Sequence, residues 1–202
     1  MKQIVLILAN SIKHQLRCVA GISLTTREWV RLVGDADGEA ITREQAHYTN
    51  NYGKFMVRPL QKINMDLQQH VPLPHQPENY LCEDGWVQAY AIKVEDLPQY
   101  AETPESLWGG DARVSHAAVV FGGVDVEQSL YLVKVSDLET YWTDDEKRRA
   151  KFTYNEIEYD LPCTDPNFSK VHEGELQHTN HLVVSLGENH KDHHYKIIAT
   201  IL

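Results

Sequence analysis

The chain has 202 residues, 42% of them hydrophobic, enough to bury one large core or two small ones. Its formal charge of −10 excludes a protein that coats duplex DNA indiscriminately, since that depends on many Lys and Arg contacts to phosphates; any nucleic-acid site must be local. No apolar run approaches the roughly 18 residues that cross a bilayer, and residues 1–8 are too short for a secretory signal, so a cytoplasmic protein with no membrane partner is expected.

The first apolar run, residues 3–9, breaks at Ala9, Asn10 and Ser11 and resumes at residues 17–23, with Lys13, His14 and Arg17 at the interruption. A polar break with cations after a first strand can set hydrogen-bond donors and positive charge at the mouth of a β-barrel. The alternative is an ordinary turn whose Asn and Ser bond their own backbone. Residues 24–27 join the second run to a third, residues 28–33, closely enough for an antiparallel hairpin. In that third run Trp29 and Arg31 lie two apart and share one face of a strand. They suit a stacking platform with a phosphate contact, or else a core Trp beside a snorkelling Arg. Thr42 followed by Gln45 reads as a capping box and predicts a short helix through about residue 48.

After a strand-like run at residues 55–63, Pro74-His75-Gln76-Pro77-Glu78-Asn79 packs polar groups between two prolines that fix the backbone. Such a loop can present His75, Gln76 and Asn79 to a base edge, or can use Glu78 and Asn79 to satisfy buried backbone amides. The sequence leaves both open. Residues 86–94 form the last run of the first half. Between residues 97 and 128, Pro98, Pro104, Gly109, Gly110, Gly122 and Gly123 interrupt the pattern, with a turn or two of helix expected at residues 104–108.

The second half carries runs at residues 129–138, 150–154, 157–161, 182–185 and 195–202, with Asn155-Glu156 as a two-residue hairpin turn and a long polar loop before the fourth run. Short strands with so few helical signals argue against a parallel α/β sheet, which needs crossover helices. The expected fold is therefore all-β with minor helix: two tandem OB-like β-barrels, over residues 1–97 and 129–202, joined by a junction at residues 98–128.

Motifs that would carry chemistry are sparse. Cys18, Cys82 and Cys163 form no CxxC pair and read as reduced thiols. Lys147, Arg148, Arg149 and Lys151 make the densest positive patch, directly after Asp144, Asp145 and Glu146. Tyr159-Asp160 and Asp165-Pro166 supply carboxylates without a visible catalytic partner, and Asp165-Pro166 reads as a turn. Ser185-Leu186-Gly187-Glu188 lacks the flanking glycines of a nucleophile elbow. His172, His178, His181, His190, His193 and His194 crowd together in no recognised ligand spacing, so a His-rich surface loop is expected. No reaction, metal or cofactor is expected.

Several of these segments, in this order, resemble the bacterial dual-OB domain family: the opening strand with Ala9-Asn10-Ser11, RCVAGI at residues 17–22, EWVRLV at 28–33, PHQPEN at 74–79, KFTYNEIEYDLPCTDP at 151–166, and SLGE at 185–188 leading to HHYKIIATIL at 193–202. The resemblance spans nearly the whole chain and implies two OB-like barrels. It also implies a module that recognises nucleic acid or nucleotides in prokaryotic defence and conflict systems. ENHKDHH at residues 188–194 departs from the family's more apolar, Gly-containing loop, as do residues 54–66. The expected function is recognition of single-stranded nucleic acid or a nucleotide-derived ligand through Asn10, Ser11, Lys13, Arg17, Trp29, Arg31, His75, Gln76 and Asn79. The second reading is a protein-interaction scaffold that works through sheet edges and loops, for which negative charge is no handicap.

Overall fold

The computed structural model describes residues 1–13 and 15–202; His14, one of the cations noted between the first two apolar runs, lies outside the described residues. The chain divides into two compact units, Met1–Val94 and Glu95–Leu202. In the first, β1 (Lys2–Lys13), β2 (Leu16–Ser23), β3 (Trp29–Val33), β4 (His47–Asn50), β5 (Gly53–Met56), β6 (Gln61–His70), β7 (Asn79–Cys82) and β8 (Trp86–Ala91) make one sheet. Antiparallel pairs β1–β2, β2–β3, β7–β6 and β6–β1, with the parallel pair β3–β7, close a ring. That ring is a five-strand OB barrel, and β8, β4 and β5 extend its sheet outward from β6.

Alternation sets the interior: Val5 and Ile7 of β1, Val30 and Leu32 of β3, and Ile63, Met65 and Leu67 of β6 all enter one core. The curvature of β1 comes from a bulge between Ile7 and Ala9, where β2 approaches so closely that a Cβ on Gly21 would stand 2.0 Å from the Leu6 carbonyl oxygen. Past that bulge β1 does not break at Asn10 but pairs with β2 as far as Lys13 opposite Leu16. The polar side chains turn inward instead of forming a turn: Asn10 Nδ2 donates to the Val57 carbonyl at 2.7 Å, and Ser11 is buried.

The capping box also forms without its helix. Thr42 N donates to Gln45 Oε1 at 2.9 Å and Gln45 N to Thr42 Oγ1 at 3.2 Å, yet the chain makes a single turn before entering β4. Tyr48 then pairs with Phe55 on one side and Trp86 on the other and is buried in the core, which outweighs a local helix signal worth about 1 kcal/mol.

The second unit holds β9 (Arg113–Ser115), α1 (His116–Val120), β10 (Leu130–Lys134), β11 (Ser136–Trp142), β12 (Arg148–Tyr154), β13 (Ile157–Pro162), α2 (Phe168–His172), β14 (His181–His190) and β15 (His193–Ile201). Its sheets run β10-β14-β15-β9 and β11-β12-β13. Only Val135 separates β10 from β11, so the two are halves of one bent strand. A parallel bridge from Cys163 to Ile198, backed by Thr164 N donating to the Ile198 carbonyl at 2.8 Å, joins the end of β13 to β15. The path β10/β11-β12-β13-β15-β14 thus repeats the strand order of the first barrel, including its one parallel contact. Asn155 and Glu156 make the tight β12–β13 turn with φ of 47° and 65°, as a type I′ hairpin requires.

Phe168 of α2 plugs this core among Phe152, Leu161, Leu182 and Ile198. Residues 98–128, expected as a junction, fall within the second unit: Leu107, Trp108, Val114, Val119 and Val126 enter its core, and β9 pairs with β15. Among the described residues no helix is long and apolar enough to cross a membrane.

Candidate ligand cleft

Of the residues expected to bind in the first unit, Arg31, His75, Gln76 and Asn79 belong to one junction, where the Pro74–Asn79 segment meets β3, and the others lie elsewhere on β1, β2 and β3. Trp29 is 4% exposed and Arg31 8%, and all of β3 is buried, so the Trp29 ring has no open face. Arg31 Nε donates to Glu78 Oε1 at 3.1 Å and its amide to the Glu78 carbonyl at 2.9 Å, which docks the Pro74–Asn79 segment on β3 through a buried ion pair. Asn79 lies opposite Arg31 in the parallel ladder. It is wholly buried, and a Cβ on Gly38, at φ +87°, would come within 3.1 Å of Asn79 Nδ2 and 3.6 Å of Gln76 Oε1. His75 is half-buried in the same loop. Asn10 and Ser11 sit apart from these, inside β1. Lys13 and Arg17 are partly exposed near the end of the β1–β2 ladder, where burial and then the neighbouring Arg43 lower the pKa of Arg17.

In the second unit an open cleft of about 690 Å³ is lined by Asp111, Arg113, Ser115, Arg149, His193 and Tyr195. Its walls are β9 with the residues before it, the β12–β13 pair, and the start of β15. Pairing of β9 with β15 sets Arg113 opposite Tyr195 and Ser115 opposite His193. Directly opposed residues of an antiparallel pair share a face. The Arg113 guanidinium accordingly lies 5.9 Å from the Tyr195 ring centre and donates from Nη1 to Tyr195 Oη at 3.3 Å.

Arg149 is held by a fork onto Asp160, Nε to Oδ1 at 2.8 Å and Nη2 to the backbone carbonyl at 2.6 Å, while the Tyr141 hydroxyl donates to Asp160 Oδ2 at 2.7 Å. Burial opposes the charge on Arg149, but the Asp160 carboxylate outweighs it and raises the pKa. OB barrels take ligands on the face of their second and third strands and on the adjoining loops. In this ring those strands are β12 and β13, and the loop between the fourth and fifth strands leads into His193 and Tyr195.

Behind the cleft, Lys196 is fully buried and donates from Nζ to the Gly109 carbonyl, which also accepts the Tyr159 hydroxyl at 3.1 Å. Burial lowers this ammonium to about 8 against the pull of Asp111. The buried His194 bonds the Gly187 carbonyl through Nδ1 at 2.8 Å. A carbonyl only accepts, so Nδ1 carries the proton and Nε2 accepts from His116 Nδ1 at 3.0 Å. Burial lowers the pKa of His194, the Gly187 bond opposes the shift, and His116 adds to it.

The basic patch and the His-rich segment meet here. Of the patch, Arg149 lines the cleft, while Lys147 pairs with Asp145, Arg148 Nη1 donates to the Asp165 carbonyl at 2.8 Å and Lys151 lies 5.1 Å over the Tyr141 ring. Asp165 is a buried anchor, accepting Asn167 N at 2.7 Å and Ile201 N at 2.8 Å. Of the histidines, His193 lines the cleft and His194 lies behind it. His172 bonds the Thr140 carbonyl at 2.9 Å and His181 bonds Thr179 Oγ1 at 2.8 Å. Among the described residues no group of three or more His, Cys, Asp or Glu is placed to hold a metal ion. Sequence reasoning missed Arg113, Ser115 and Tyr195. The usable signal was indirect: Arg149 and His193 stood in runs already notable for their charge.

The family model for the dual OB-containing domain matches residues 2–201. No curated protein matches the chain. A solved structure, the crystal structure of the tetrameric p202 HIN2, is similar with a TM-score of 0.35 and 8% identity, over 100% of this chain and 92% of that one.

Proposed function

Because the chain belongs to the dual OB-containing domain family, we propose that it is a binding module whose second barrel takes single-stranded nucleic acid or a nucleotide-derived ligand in the cleft of Arg113, Arg149 and Tyr195. The observation that carries this reading is the Arg113 guanidinium bonded to the Tyr195 hydroxyl and 5.9 Å from its ring centre, beside an Arg149 fixed by Asp160, on the face where OB barrels receive ligands. A base has two partners there, an aromatic ring and a guanidinium plane, and each base stacked contributes about 1–3 kcal/mol. The guanidiniums match the geometry of a phosphate, and Ser115 and Asp111 offer hydrogen-bond partners to a sugar. The reading assigns the cleft to binding and assigns no reaction to it.

Fluorescence anisotropy with a labelled single strand of 15 nucleotides tests it. With one or two phosphate contacts, log affinity falls against log salt with a slope of roughly −1, at about −0.7 per contact. Arg113→Ala lowers both affinity and slope, while Trp29→Ala, a change at a buried position of the first barrel, leaves the slope unchanged. No saturable binding to single-stranded DNA, RNA or mononucleotides near 50 mM salt overturns the reading and leaves the protein-interaction scaffold in its place.

A further inference from the structure

Resting on that reading, we infer that the cleft's ligand is a nucleotide or dinucleotide and not a long strand. Three observations point the same way. The volume of about 690 Å³ lies inside the range of roughly 300–1,000 Å³ that small-molecule pockets occupy. The cation count within it is small: Arg113 and Arg149 face Asp111 in the cleft, and Arg149 already shares its charge with Asp160. That suffices for one or two phosphates and not for a backbone.

The third observation is the charge of the loops at either side. A groove that follows a strand is basic along its length. Here the loop between β11 and β12, which feeds into Arg149, carries Asp144, Asp145 and Glu146, all exposed, with Lys147 tied to Asp145. The turn between β14 and β15, which feeds into His193, carries exposed Asp192 beside Lys191. Phosphates continuing past the cleft over the β11–β12 loop meet carboxylates, while the β14–β15 turn offers them no net positive charge. The base stacks on Arg113 and Tyr195, the phosphate sits toward Arg149, and the acidic β11–β12 loop limits the length of what binds.

The test titrates the full chain with AMP, the dinucleotide pApA and a 15-nucleotide oligoadenylate at several salt concentrations. The 15-mer is expected to bind no more than about tenfold tighter than pApA, the gain from overlapping sites on one strand, with similar salt slopes. Arg113→Ala weakens pApA about tenfold, and Asp144→Asn with Asp145→Asn and Asp192→Asn tightens the 15-mer while leaving pApA unchanged. A 15-mer that binds more than a hundredfold tighter than pApA with a slope steeper than about −3 overturns the inference and leaves the binding reading standing. Absence of binding by all three probes overturns the binding reading itself.

Discussion

Lys196 shows how a single residue can be placed against its own chemistry. Its ammonium is fully buried, bonded to one backbone carbonyl, and lowered to about 8 from an ordinary 10.5. Between those values the unfolded chain holds the proton more tightly than the folded one, so stability rises as pH climbs from about 8, and below 8 the buried charge is a standing cost. Burial also raises Cys82 and Cys163 from 9.0 to about 12 and lifts Tyr131, Tyr154 and Tyr159 above 10, and these groups act in the opposite direction as the pH approaches and passes 9. The Lys196 contribution is therefore read as a difference: in urea unfolding, the free energy of the native chain minus that of Lys196→Met is expected to rise between pH 8 and about 9.5. A difference that does not change with pH contradicts this account of Lys196. The contrast with Arg31 is instructive, because there a buried cation has a buried carboxylate within 3.1 Å and its role is to fasten a loop to a strand.

At the scale of elements, β9 is the cleft's most conditional wall: three residues on the edge of β15, carrying Arg113 and Ser115, followed at once by His116. His116 reaches back to His194, and its own amide donates to the Asp192 carbonyl at 2.9 Å. The pKa of His194 is below 6.5, so this arrangement is intact above pH 6.5 and is lost as pH falls below it, when a proton on Nε2 removes the acceptor. Amides of Val114, Ser115 and His116 are expected to exchange faster at pH 5 than at pH 7, after correction for intrinsic rates, while amides of β12 hold their protection. Equal protection at both pH values rules out the imidazole pair as a fastening. Elements such as β9 also mark where a sequence stops being legible. The long runs announced themselves by apolar alternation, but β4, β7 and β9, at three or four residues with mixed polarity, carry too few periods to register. Asn10 and Ser11 read as a break because both are buried polar residues and the partner of Asn10, the Val57 carbonyl, lies 47 residues away. The Thr42–Gln45 box formed as its residues dictate and was overruled by Tyr48 in the core.

For the whole molecule, the same strand order appears twice, and the β-patterned runs of each half pointed to two barrels, although the fifth run of the first half is β8, outside the ring, and the ring's own β7 went unread. The cleft was not legible in the same way. Arg113 and Tyr195 are 82 residues apart and become neighbours only because β9 is added to the edge of the second barrel, so no local spacing encodes the pair. Of the residues that looked like a site in the sequence, Trp29, Arg31, Gln76 and Asn79 are all buried, and Arg31 is paired with Glu78 where the Pro74–Asn79 segment meets β3. The account therefore stands on where a ligand is felt. Two-dimensional NMR of isotopically labelled full-length protein, titrated with pApA at 50 mM salt, decides it most directly. Saturable shifts are expected at the amides of Arg113, Ser115, Arg149, His193 and Tyr195, with Ser11, Arg17, Trp29, Arg31 and Asn79 unmoved; shifts confined to the latter group contradict the assignment of the site to the second barrel.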